Sequence, residues 1–329
     1  LPSSRPRAPR RPFFFPIYLC TEIIPMSPAQ SLRLTLPVGS ASQYAAAGTS
    51  PHGAEPARVT ILFATDPICS HCWAMEPAWR RFLYHFGELI EVRHVYGGLL
   101  PSWNGFRDLG AGIASPADVA PHWDEVVARY RQPIDSSVWL RDPLHSSYPP
   151  TLAALAVRSL APALEDRYLR RIREALFLEG RNIARPSELR GYAVEIGVDG
   201  DAFHEAFESL EIQRSFREDR AQLRTLGIAG FPTLMVDAPQ AERAWVLRGT
   251  QPYHRLERAL QAVLGELPPQ RPMTPATVLA EYGSGTTREF AEVLEQPEAE
   301  VELLLAAAGG VREPIAGSAR WHVPRERAW

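Results

Sequence analysis

The chain has 329 residues, 45% of them hydrophobic and 22% charged, with a formal net charge of −3 at pH 7. Such a composition belongs to a globular protein with room for one sizeable domain and smaller appendages, and it gives no electrostatic reason to expect nucleic acid as the main partner. No apolar run approaches the ~18 residues of a membrane-spanning helix, and three cysteines are too few for a disulfide framework.

Residues 1–57 hold ten of the 31 prolines and read as a disordered leader. Arg5, Arg7, Arg10 and Arg11 ahead of Phe13-Phe14-Phe15 have the polarity of an export signal. Pro16, Glu22 and Pro25 interrupt the apolar segment, however, and no small-x-small cleavage site follows. Leu19 precedes Cys20 where a lipoprotein signal has a small residue. The expectation is a cytoplasmic protein, with export to the periplasm as the alternative and Met26 as an alternative start. All 35 basic residues are arginine, a bias of genomic base composition rather than of chemistry.

Val59–Ala64 is a β-branched and aromatic apolar run of strand length, bounded by Arg58 and the Asp66-Pro67 turn. Thr65-Asp66-Pro67-Ile68-Cys69-Ser70-His71-Cys72-Trp73 then opens a helix. Two cysteines separated by two residues at a strand-to-helix junction are the layout of a dithiol redox site. The unpaired N–H groups and partial positive charge of a helix start favour a thiolate at the first cysteine. His71, between the sulfurs, adds a positive or hydrogen-bonding influence when protonated. Cys69 is thus the expected nucleophile and Cys72 the resolving thiol. The same spacing is half of a zinc site, but the third cysteine lies in the leader and a metal would have to recruit distant ligands. The expectation is no metal, and no cofactor beyond the redox-active cysteine pair.

After the cysteines, Trp73, Trp79, Leu83 and Phe86 line a buried helical face that Pro77 should kink. Both tryptophans read as packing, and Glu76 as part of a solvated helix face. Asp66 reads first as a turn residue, with proton relay as the alternative. Leu89–Tyr96 is a second strand closed by Gly97-Gly98, with His85 and His94 on or beside core elements. Helices follow near Pro116–Arg131, Pro149–Leu160, Glu165–Glu179, Pro186–Ile196, Asp201–Ser209 and Glu211–Leu226. Pro232–Asp237 and Arg243–Arg248 pair as strands before a helix over Pro252–Leu264. This order predicts an α/β, thioredoxin-like sheet with a large all-helical insertion. A proline opening the third strand marks a special turn. If the Phe231–Pro232 bond is cis, the adjacent backbone can pair with an extended peptide near the thiols, a trans bond being the ordinary alternative.

The domain plan is a leader over 1–57, the thioredoxin-like domain over 58–266 with an insertion at about 99–227, a linker over 267–275 and a tail over 276–324. In the tail, helices at Thr274–Tyr282, Arg288–Glu295 and Pro297–Ala308, a turn at Gly283–Thr287 and a hairpin of Val311–Pro314 with Ala319–Val323 make a winged-helix-like plan. From residue 266 onward, ten glutamates face six arginines, and Glu298, Glu300 and Glu302 would repel phosphates. The tail is therefore expected to contact protein rather than DNA.

These residues resemble the DsbA family of thiol–disulfide oxidoreductases. The match lies in Cys69-Ser70-His71-Cys72, the helical insertion and Phe231-Pro232-Thr233 at the place of the family's cis-proline. More narrowly the chain is similar to the DsbA-like adapters of the SpxH/YjbH type, in which a winged-helix-like tail follows the thioredoxin-like domain. Asp66-Pro67-Ile68-Cys69, Cys72-Trp73, Glu76-Pro77, Ser146-Ser147-Tyr148-Pro149, Glu174-Ala175-Leu176-Phe177, Asn182-Ile183 and Arg248-Gly249-Thr250 carry that likeness, over roughly residues 58–324.

Taken together, the expected catalytic residues are Cys69, Cys72, His71 and Pro232, with Phe231, Thr233, Ser70 and Tyr148 at the substrate. The placing of Tyr148 and Ser147 beside the thiol groove follows from the resemblance alone. Two functions are implied. One is thiol–disulfide exchange on protein thiols and disulfides. The other is the adapter role, binding a client such as a stress transcription factor and promoting its degradation by the ClpXP protease.

Overall fold

The computed structural model describes residues 59–239 and 241–324, together with the backbone of residues 23–25. The readings placed on the rest of the leader, including Cys20 and Met26, lie outside the described residues. Of the stretch expected to be disordered, Ile23–Pro25 (β1) is instead a short strand, antiparallel to Trp245–Arg248 (β5).

Val59–Thr65 (β2) is an interior strand of the main sheet, parallel to Ile90–Tyr96 (β3) on one side and antiparallel to Thr233–Asp237 (β4) on the other, in the order β1-β5-β4-β2-β3. Its nearly continuous apolar run is what a strand covered on both faces requires. Ile61 and Phe63 point to one side, against Trp79 and Phe82 of Glu76–Phe86 (α2) and Leu256 and Leu260 of Tyr253–Leu264 (α10). Leu62 and Ala64 point to the other, with Val95, Met235 and Leu223. The two-residue period of the strand thus builds two half-cores.

Ser70–Ala74 (α1) is separated from α2 at Met75, with Pro77 in the first turn of the second helix. The expected kink is thus a full break, since proline suits a helix start better than its interior. The insertion comprises Pro116–Tyr130 (α3), Val138–Arg141 (α4), Tyr148–Leu160 (α5), Glu165–Phe177 (α6), Pro186–Glu195 (α7), Gly200–Glu208 (α8) and Leu210–Thr225 (α9). These helices close their own core around Trp123, Trp139, Tyr168 and Phe177. Trp73 of α1 joins that core. Its ring stacks on Phe177 at 5.4 Å and its Nε1 donates to the Pro133 carbonyl at 2.9 Å.

The tail consists of Pro275–Tyr282 (α11), Ser284–Thr286 (β6), Thr287–Leu294 (α12), Glu298–Ala307 (α13) and a hairpin of Val311–Ile315 (β7) with Ser318–His322 (β8). The segment read as a turn contains β6, which completes a three-stranded sheet, β6-β8-β7. Thr286 and Glu289 form a reciprocal capping box at the start of α12. Val278, Phe290, Val301, Leu305 and Trp321 form the tail core, and Tyr84 of α2 packs into it. The tail is seated against the back of the helix pair that carries the cysteines.

Candidate active site: a buried dithiol at a helix start

The turn after β2 delivers Cys69 as the N-cap of α1. Asp66 shapes it: Oδ1 accepts the Ile68 N–H at 3.0 Å, and the Asp66 carbonyl accepts the Cys69 N–H at 3.2 Å. The Cys69 Sγ in turn accepts the Cys72 N–H at 3.2 Å. The two free thiols lie one helical turn apart and are both buried, Cys69 at 5% residue exposure and Cys72 at 1%.

The acidities are not those expected from the helix start alone. Burial, then Cys72, and also the Asp66 carboxylate push the Cys69 thiol well up. Cys72 is pulled down despite its own burial, by the hydrogen bond from Cys69, the Arg173 guanidinium and Thr65. The pair titrates as one unit: a first proton leaves with help from Arg173, and a second is held tightly. His71 does not supply a cation either. Burial, then His122 and Arg129, push it down to about 4, so it is neutral at pH 7. The Thr250 hydroxyl donates to the His71 carbonyl at 3.1 Å and must therefore accept from Nδ1, 3.2 Å away. Nε2 carries the lone pair, with the ring set beside Tyr130 and His122.

Pro232 comes to the same end of the sheet. The pairing of Thr233 with Ala64 puts Pro232 beside Thr65, and the Phe231–Pro232 bond is cis. The Gly249 N–H occupies the Pro232 carbonyl at 2.8 Å. Phe231 is half-buried against Gly97, where a Cβ would fall 1.8 Å from its ring. The half-buried Tyr148 packs edge-on against Phe216 at 4.9 Å, beside Gly98, with Arg220 over both rings. Thr233 and Ser70 are buried, and the Thr233 hydroxyl is spent on the Gly230 carbonyl. Phe231 and Tyr148 thus pack with their rings on Gly97 and Gly98 just past the end of β3, whereas Thr233 serves the turn.

Arg173 was not singled out by sequence, and Asp66 and Glu76 were read chiefly as a turn residue and a solvated helix position. Asp66 is fully buried. Its Oδ2 accepts the Leu99 N–H at 2.7 Å and the Ser147 hydroxyl at 3.0 Å, so Ser147 holds the carboxylate rather than lining a groove. Burial raises Asp66 to about 6 against these stabilising bonds. Arg173 of α6 donates to Thr65 Oγ1 at 2.6 Å and pairs with Glu76 at 3.0 Å. Glu76, expected on a solvated face, is buried: it faces the insertion, where Arg173 and Arg170 neutralise it. Nothing local in the sequence marks these partners, which lie about a hundred residues apart. A separate cavity of about 300 Å³ is lined by Arg171, Glu179, Tyr192 and Glu195 among others and includes none of these residues.

Fold and site together define a DsbA-like protein of thioredoxin type, and residues 62–258 match the family described as Thioredoxin. The chain belongs to that family and, within its DsbA-like members, groups with SpxH. It is 31% identical to the ClpXP adapter protein SpxH of Halalkalibacterium halodurans over 242 residues, 72% of this chain and 79% of that one. It is 29% identical to the SpxH of Shouchella clausii, over 78% of this chain and 85% of that one. A provisionally assigned protein disulfide isomerase from Nitrosomonas europaea shares the fold, with a TM-score of 0.54 and 20% identity, covering 62% of this chain and 96% of that structure. No helix among the described residues is long and apolar enough to cross a membrane.

Proposed function

We propose that the protein carries out thiol–disulfide exchange on protein partners through Cys69 and Cys72. The observation that carries this reading is the pair itself: Cys69 at a helix N-cap, Cys72 one turn behind it with its N–H on the Cys69 sulfur, and the Pro232 turn at the same end of the sheet. In the reducing direction the Cys69 thiolate attacks one sulfur of a substrate disulfide and expels the other as a thiolate. Cys72 then attacks the Cys69 sulfur, releasing the second substrate thiol and leaving the Cys69–Cys72 disulfide. The two protons lost by the protein thiols go to the two substrate thiolates. Asp66, near neutrality and hydrogen-bonded at the base of the site, is suited to hold one of these protons in transit.

A second reading is favoured by the relatives, which are ClpXP adapter proteins and which match this chain over most of their length. Here the same face and the acidic tail hold a client for the protease, and exchange chemistry is secondary. Mixed-disulfide trapping with Cys72→Ala separates the two. Exchange predicts covalent, reductant-sensitive adducts on Cys69 that vanish in Cys69→Ser. An absence of adducts, with a cysteine-free variant still binding a protease client, would leave the adapter alone.

A further inference from the structure

We propose that the tail is part of the redox site: Glu289 of α12 tunes the proton and electron affinity of the Cys69–Cys72 pair through an unbroken chain of buried ion pairs. The inference rests on the exchange reading above and adds a residue from outside the thioredoxin-like domain to it. Glu289 is fully buried and meets Arg80 Nη1 at 2.7 Å and Arg170 Nη1 at 2.7 Å. Arg170, its guanidinium 4.7 Å above the Trp73 ring, reaches Glu76 at 3.3 Å. Glu76 holds Arg173 at 3.0 Å, and Arg173 touches Thr65 at 2.6 Å and the Asp66 carbonyl at 3.4 Å, beside Cys72. Docking the tail would need only the first of these contacts. The chain continues instead, largely buried and with alternating sign, from the tail to the turn that carries the sulfurs. In such surroundings a change of charge at one end is felt at the other.

The direction follows from the signs. Docked Glu289 subtracts from the positive field of Arg170 and Arg173, so it makes the thiolate less favourable and tilts the pair toward disulfide. By reciprocity, forming the disulfide removes negative charge beside Arg173, and the network then holds Glu289 more tightly. Oxidation should seat the tail and reduction should loosen it. Glu289 acts through Arg170, Glu76 and Arg173, and is a positioning residue.

The test is equilibration of the full chain with glutathione buffers. One glutathione disulfide oxidises the two protein thiols to the Cys69–Cys72 disulfide and is reduced to two glutathione thiols, which take up both protons. Glu289→Gln keeps the shape and the cap to Thr286. It should shift the equilibrium constant toward dithiol by about threefold and move the pH profile of alkylation to lower pH. Glu76→Gln should shift it further. The double variant should fall short of the product, because both carboxylates share Arg170. A second measurement needs no substitution: the α12 amides of the natural chain should exchange more slowly in the disulfide than in the dithiol at pH 8. Unchanged equilibrium constants in folded variants, or equal exchange in both redox forms, would overturn the proposal. Failure of the natural chain to form the disulfide at any glutathione ratio would instead remove the exchange reading on which it rests.

Discussion

Asp66 shows how one buried carboxylate can organise a site and tune it as well. Its raised value means the folded protein binds a proton that the unfolded chain has already released between pH 4 and 6. Stability therefore falls as pH rises through that window, by about 3 kcal/mol from this group. Asp66→Asn removes the term: urea melts at pH 4.5 and 7 should differ less than in the natural chain, by up to that amount. Because the Asp66 charge is among the forces raising Cys69, the same variant should alkylate faster at pH 7. The Asp-Pro spacing made the turn legible in the sequence, and that role holds. The grip on Leu99 and Ser147 was not legible, since a side chain 81 residues away leaves no local mark. Trp73 and Trp79 were legible as packing but not as one face: the break at Met75 sends Trp73 into the core of the insertion and Trp79 against the sheet.

The long elements were readable to within a residue or two, because each carries its own period and its own stop. Proline begins α3 and α7, and Asp199 caps α8 through its side chain. Those missed are short: β1, α4 and β6 have three or four residues, and what holds them is a distant strand or helix rather than a pattern. The end of β3 gives a prediction at this scale. Gly97 follows that strand, its N–H bonded to the Thr65 carbonyl at 3.1 Å, and it has no space for a side chain beside Phe231. Gly97→Ala should leave the tail and insertion cores intact and displace the Phe231 ring from the proline turn. It should destabilise the protein by about 1–3 kcal/mol and slow exchange at Cys69. Calorimetry and alkylation kinetics together check this, and a neutral result in both would mean the ring is free to move.

At the scale of the whole molecule, an acidic tail was legible from its glutamates, but its attachment was not. Arg80 and Glu289 are 209 residues apart, and buried ion pairs look like any solvated charges in a one-dimensional reading. Burial alone would raise Glu289, yet Arg170 and then Arg80 hold it down to about 2. Its contribution, about 3 kcal/mol, is complete above the ordinary carboxylate range and lost as pH falls through about 2. The tail should accordingly melt at a lower temperature at pH 2.5 than at pH 5, and Glu289→Gln should flatten that difference. An equal fall in the variant would place the acid-labile contact elsewhere. The roots of the helical insertion have a different consequence. Asp66 ties Leu99 and Ser147 to the thiol turn, while Asp219 of α9 takes the Tyr96 N–H at 3.0 Å. With the excursion clamped where it leaves the sheet and again near its return, and with α6 keeping Arg173 and Phe177 at the thiol turn, the outer surfaces of the helices between can change without re-aiming the sulfurs, leaving room for new binding faces over an old reaction centre.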